Sequence, residues 1–137
     1  MRKNRSIPQC TVIPELAYPD IGQAIDWLCD AFGFTLRIRI ANHRAQMNVG
    51  DGALVLTELA AGQRCDIGHS VMVRVENVDA HHQHAVQHGA RILRSPADHP
   101  YGERQYTVED FAGRRWIFSQ SIADVDPTTW GDIPGKL

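Results

Sequence analysis

Residues 20–33, DIGQAIDWLCDAFG, decide the fold. Asp20 can cap a helix N-terminus, and apolar residues recur at Ile21, Ile25, Leu28 and Phe32, one face of a 3.6-residue period. Gly33 then supplies the left-handed stop that a helix C-terminus favours. Working outward, CTVIPEL (10–16) reads as a strand, and Pro14, which cannot donate a ladder hydrogen bond, suggests an edge or bulged position. Three more strands follow the helix at 34–40, 44–50 and 53–59, separated by Asn42-His43 and Asp51-Gly52.

The second half repeats this order. A strand at 69–75 precedes a helix from Asn77 through Gly89, and strands follow near 91–95, 104–109 and 114–119. Asn77 lies 57 residues after Asp20, so Val78 and Ala85 fall on Ile21 and Leu28. Gly113, 61 residues after Gly52, precedes RRWIFS much as Gly52 precedes ALVLTE. AAGQRCDIG (60–68) is the expected connector, rich in small and polar residues. The expected fold class is α+β: one domain over 1–137 with two tandem βαβββ modules, about 10–59 and 69–120, and a tail, 121–137. Each module is expected to form a curved mixed sheet with a helix on one side, the two together walling a cavity.

At 137 residues with 43% hydrophobic content, the chain can bury a real core. Its formal charge is −2 and its basic residues are dispersed, which leaves no electrostatic footprint for nucleic acid or membrane. Arg2, Lys3 and Arg5 read as a frayed, solvated terminus. Cys10, Cys29 and Cys65 are odd in number and lack CxxC spacing, which argues against a disulfide framework and suits a reducing cytoplasm. Cys29 beside the helix's apolar face reads as a packed thiol.

This layout, with DIGQAIDWLCDAFGF, VRVENVDAHHQHAVQHGA (73–90) and PYGERQYTVEDFAGRRWIFSQ (100–120), resembles the vicinal oxygen chelate superfamily, and within it the small glyoxalase/bleomycin-resistance-like proteins. The resemblance spans roughly 10–131 and implies the fold without fixing the reaction. It also implies where a metal would be held: one ligand on the first and last strand of each module. Those positions are Ile13, Leu56, Ser70 and Ile117, of which only Ser70 carries a donor atom, a poor one for zinc, nickel or iron. No metal or other cofactor is therefore expected. A homodimer is, because members of the superfamily commonly pair their sheets.

If Leu56 and Ile117 face a ligand, strand alternation turns Leu54, Glu58, Arg115 and Ser119 the same way and sends Trp116 and Phe118 beneath the helices. The expected binding residues are Glu58, His69, Ser70, Arg115 and Ser119, with no catalytic residue assigned. His81, His84 and His88 are expected in solvent, and His82 in a core-facing slot. The pair His84 and His88 has i, i+4 spacing but no Glu between them, which excludes a zinc-protease motif. Pro100 to Arg104 reads as a turn, alternatively as a loop closing on a ligand with Tyr101 and Arg104. Trp27 projects from the polar side of helix one, as an interface group or a cover for a loop. Glu109 and Asp110, adjacent on a strand, cannot act as one dyad.

Three readings follow. The first is a metal-free binder of the bleomycin-resistance type that holds an amphipathic small molecule. The second is a metal-dependent lyase or transferase of the glyoxalase type, its site assembled from His69, Glu58 and a second chain. The third is an interaction protein with a vestigial pocket.

Overall fold

The structure, a computed structural model, describes residues 2–63, 68–131 and 135. The chain divides into two compact units, residues 1–66 with 111–113, and 67–110 with 114–137. Residues 64–67 of the expected connector, with Cys65, lie outside the described residues.

In the first unit the order is β1 (Glu15–Tyr18), α1 (Ile21–Phe32), β2 (Thr35–Ile40), β3 (Arg44–Val49) and β4 (Gly52–Glu58). The sheet order is β1-β4-β3-β2, with β1 parallel to β4 and the other pairs antiparallel. The Asp20 side chain accepts from the Gln23 amide, and Gly33 closes α1 at φ 78°. The first strand starts later than expected: Pro14 precedes it, although its carbonyl accepts from Val55 N. The buried stripe of α1 is Ile21, Ala24, Ile25, Leu28, Ala31 and Phe32. Each fully buried Ile, Leu or Phe contributes about 1.5–3 kcal/mol by leaving water.

The second unit repeats this with β5 (Ser70–Arg74), α2 (Val78–Gln87), β6 (Arg91–Asp98), β7 (Glu103–Glu109) and β8 (Arg115–Ser121), in the order β5-β8-β7-β6, and adds a 3-10 turn at Pro127–Thr129. Asn77 caps α2, accepting from Ala80 N. Only Val78 and Ala85 of α2 are fully buried; half-buried His81 and His82 complete its inner face. The His81 ring lies 4.0 Å from Phe118 and its Nδ1 is 2.6 Å from the Tyr106 hydroxyl, which corrects the expectation that His81 is solvated. The His82 ring meets Tyr106 edge-on at 5.2 Å.

The register fixes which side chains share a face. In the second unit Trp116 and Phe118 lie level with Val108 and Tyr106 and are fully buried beneath α2, so Arg115, Ile117 and Ser119 point away from the helix. In the first unit Leu16 and Tyr18 pair with Leu56 and Glu58, and Ala45 and Met47 with Leu56 and Leu54. Tyr18 stacks on Phe111 at 5.7 Å, and Phe111 also meets Trp27 of α1, which places this set on the helix side. The expectation that Leu56 and Glu58 face a ligand is therefore off by one residue. The cause is the glycine used for counting. Gly52 is the first residue of β4 and pairs with Val49, whereas Gly113 sits inside the loop that precedes β8. The residue of β4 equivalent to Ile117 is Val55.

Candidate functional site

The face of the second sheet turned away from α2 is built from alternate residues of neighbouring strands. Ser70, Met72 and Arg74 of β5 lie beside Arg115, Ile117 and Ser119 of β8, which lie beside Glu109, Thr107 and Gln105 of β7. Its middle is apolar, with Met72 59% exposed and Ile117 half-buried.

At one end Gly68, His69, Ser70 and Arg115 line a recess of about 160 Å³. Three of the residues expected from the sequence thus meet. The buried Arg114 donates from Nη1 to His69 Nε2 at 3.1 Å, so that nitrogen accepts and the ring proton lies on Nδ1. The loop behind is tied by Asp110, whose carboxylate accepts from Arg114 N and Trp116 Nε1, each at 3.0 Å. Glu109 pairs instead with Arg91 at 3.7 Å, so the two adjacent carboxylates serve separate partners.

At the other end four side chains form a chain of hydrogen bonds. The Tyr101 hydroxyl donates to Gln105 Oε1 at 3.1 Å, Gln105 Nε2 donates to Ser119 Oγ at 3.0 Å, and Ser119 Oγ donates to Glu103 Oε1 at 2.8 Å. The Ser121 hydroxyl, above all, holds the Glu103 carboxyl below its ordinary value; Ser119 and the charge of Arg74 act the same way, while burial opposes them. Ser119 is 2% exposed, so it positions this chain of groups and does not itself offer a contact surface. Glu103 and Gln105 were not singled out from the sequence; pairing β7 across from Ser119 identifies them.

The segment before β7 is a turn, closed by His99 N to Glu103 O at 2.8 Å. Gly102, at φ 84°, is required there: a Cβ would meet Ala123 O at 2.4 Å, where the returning tail donates its Ile122 amide to Gly102 O. Arg104 is turned elsewhere and binds Asp79 and Asp98.

The remaining expected groups have partners of their own. Glu58 is exposed and lies 3.6 Å from His43. Trp27 is half-buried against Phe32 and Phe111 and covers the 111–113 turn. The exposed His84 and His88 rings lie 4.5 Å apart, and His88 Nδ1 bonds His84 O within its own helix. Burial, with Asp30 and Asp26 nearby, pushes the Cys29 thiol up, away from the reactive thiolate. In the first unit the terminal segment is held rather than frayed. Arg37 donates to Arg5 O at 2.7 Å, Gln46 to Ser6 O at 2.9 Å, and Pro8 is buried. A broad depression of about 770 Å³ runs along it, lined by the exposed Lys3, Asn4, Arg5 and Ser6 with Ile38.

Residues 6–118 match the Glyoxalase/Bleomycin resistance protein/Dioxygenase superfamily. The chain belongs to that superfamily. TioX from Micromonospora sp. ML1 is 32% identical, with TM-score 0.69 over 85% of this chain and all of that one. A glyoxalase/bleomycin resistance protein from Streptomyces sp. CB03234 is 21% identical over 79% of this chain and 97% of its own, with TM-score 0.64. A superfamily enzyme from Burkholderia phytofirmans PsJN shares the fold at 16% identity and TM-score 0.70, over 80% of this chain and 96% of its own. No curated protein matches the sequence.

The superfamily's metal chemistry needs donors at four strand positions, and the residues here do not fit it: Ile13, Leu56 or its register-corrected neighbour Val55, Ser70 and Ile117 offer one hydroxyl among hydrocarbon. Among the described residues no three His, Cys, Asp or Glu side chains are grouped to hold a metal ion. Among the same residues no helix is long and apolar enough to cross a membrane.

Proposed function

We propose that this protein is a metal-free small-molecule binder of the bleomycin-resistance type, holding an amphipathic ligand against the second sheet's face away from α2. One observation carries the reading: that face sets the apolar pair Met72 and Ile117 between polar ends, Ser70 and Arg115 at one and Arg74, Gln105 and Glu103 at the other. An amphipathic ligand loses apolar surface to the middle and keeps its polar groups paired at the ends. His69, Ser70 and Arg115 are ligand contacts on this reading. Ser119 supports Glu103 and Gln105, and Glu58 has no part. The 160 Å³ recess takes a terminal group, since whole drug-sized ligands need about 300 Å³ or more.

The protein acts as a cytoplasmic homodimer on this reading. Unpaired Cys10 and Cys29 suit a reducing compartment, and Leu36 and Ile40 expose apolar surface on the edge strand β2. Light scattering should give about twice 15.3 kDa.

The test of function is a thermal-shift screen with amphipathic drugs and metabolites, beside elemental analysis of protein purified without chelator. Stabilisation by a ligand at negligible metal content is expected. Near one equivalent of zinc or nickel, removable with loss of lactoylglutathione-type lyase activity, would replace this reading with the metal-dependent one. No stabilising ligand in a broad screen would leave an interaction protein.

A further inference from the structure

The direction of the hydrogen bonds around Glu103 says what kind of polar group that end of the face accepts. A hydroxyl has one proton to give, a carboxylate none, and a primary amide two. Tyr101 spends its proton on Gln105, Ser119 spends its own on Glu103, and Ser121 also bonds the Glu103 carboxylate. One Gln105 proton goes to Ser119. The hydroxyl protons are thus committed within the cluster. Within this hydrogen-bonded chain, one remaining Gln105 proton stands against the lone pairs of the Tyr101 oxygen and those of Glu103, whose two oxygens have room for about four hydrogen bonds; the donors of Arg74, beside Ser119 on the neighbouring strand, lie outside the chain.

Two further features favour a ligand at this spot. Glu103 and Gln105 are half-buried on the sheet face, so a bond made there is partly shielded from water. Beside them Tyr101 stacks on His99 at 5.1 Å and meets the half-exposed Trp130 at the same distance, an aromatic surface next to the acceptor end. The turn is pinned through Gly102 to the returning tail, so Tyr101 is held in place before a ligand arrives.

We infer that Glu103, at the end of the chain from Tyr101 through Gln105 and Ser119, is a specificity-determining residue that selects an aromatic ligand whose polar group donates a hydrogen bond, an O–H or N–H. This rests on the proposed binding role and deepens it by naming the ligand's chemistry. Ser119 is a positioning residue: it touches no ligand and aims the carboxylate.

Matched probes separate the two levels. 2-Naphthol and 2-methoxynaphthalene share a ring system and differ in the O–H, so their dissociation constants, measured by fluorescence or calorimetry, isolate the donor. The wild type should bind the phenol at least tenfold more tightly. Glu103→Gln keeps the shape but presents an amide N–H where the carboxylate accepted, and should bring the phenol-to-ether ratio to one or below with the melting temperature little changed. Ser119→Ala should leave a ratio between the two, an effect that lost stability alone would not give, and reports independently if Glu103→Gln folds poorly. Equal binding of ether and phenol by the wild type overturns the inference while the binding role stands. A ratio unchanged in both variants overturns it as well. Binding of neither probe overturns the inference, and the broad thermal-shift screen then decides the binding role by itself.

Discussion

Beneath α1 the first sheet offers Leu16, Tyr18, Ala45, Met47, Leu54 and Leu56, all 3% exposed or less, to an apolar helix stripe. Beneath α2 the second sheet offers Tyr106, Val108, Trp116 and Phe118, and the helix answers with two histidines. The opposite faces differ as well. In the first unit Gln46, on the side away from α1, is bonded by Arg37 and by the protein's own terminal segment. In the second unit that side carries an apolar pair between polar clusters. A repeated βαβββ order fixes which alternate residues lie under the helix and leaves the other face chemically free, so one module can devote its face to its own chain while the other keeps an exposed apolar group between polar ones.

The comparison can be broken most severely at the second core. Trp116→Ala removes a fully buried indole that also donates to Asp110, and should cost about 3–5 kcal/mol in urea unfolding. A smaller cost would mean that α2 docks without it. Leu56 and Ile117 sharpen the register argument, because glycine counting makes them equivalent and the ladders do not. Leu56→Ala should cost about 2–5 kcal/mol and the half-buried Ile117→Ala markedly less. Equal costs would restore the glycine count.

Asp110→Ala strands two donors, Arg114 N in the loop before β8 and Trp116 Nε1 on β8 itself, and should destabilise by about 1.5–3 kcal/mol. A chain lacking residues 2–7 loses the bonds to Arg5 O and Ser6 O and leaves Gln46 partly unsatisfied, for about 1–3 kcal/mol; no change would show that the segment does not cover the first sheet.

The smallest effect is acid dependence. The folded Glu103 carboxyl lies below its ordinary value of 4.5, so its contribution is present above that pH and lost as pH falls through the folded value. Wild type should therefore lose slightly more stability than Glu103→Gln between about pH 5 and 3. Parallel titration of the two would contradict the hydroxyl contacts.

Much of the fold was legible because caps and periodicity are local. Asp20, Gly33 and Asn77 stand where the helices begin and end. In the second module the glycine count also turned Ile117, Arg115 and Ser119 away from the helix, as the ladders do. It failed for Glu58 because register is set by hairpin length: the first hairpin turns through Gly50 and Asp51, the second through a longer loop organised by Asp110. Glu103 and His81 were hidden for a different reason. Their roles come from partners 16 and 25 residues away, Ser119 and Tyr106, which no local pattern encodes.

The central claim is that a small molecule lies against the second sheet and leaves the first helix-covered core undisturbed, and methionine methyl signals test it directly. Met72 is 59% exposed on the proposed ligand face, while Met47 is fully buried beneath α1. In protein labelled at methionine methyl carbons and titrated with 2-naphthol, the Met72 signal should shift saturably and the Met47 signal should stay fixed. Movement of Met47 with Met72 unmoved, or no saturable change at Met72, would contradict the account.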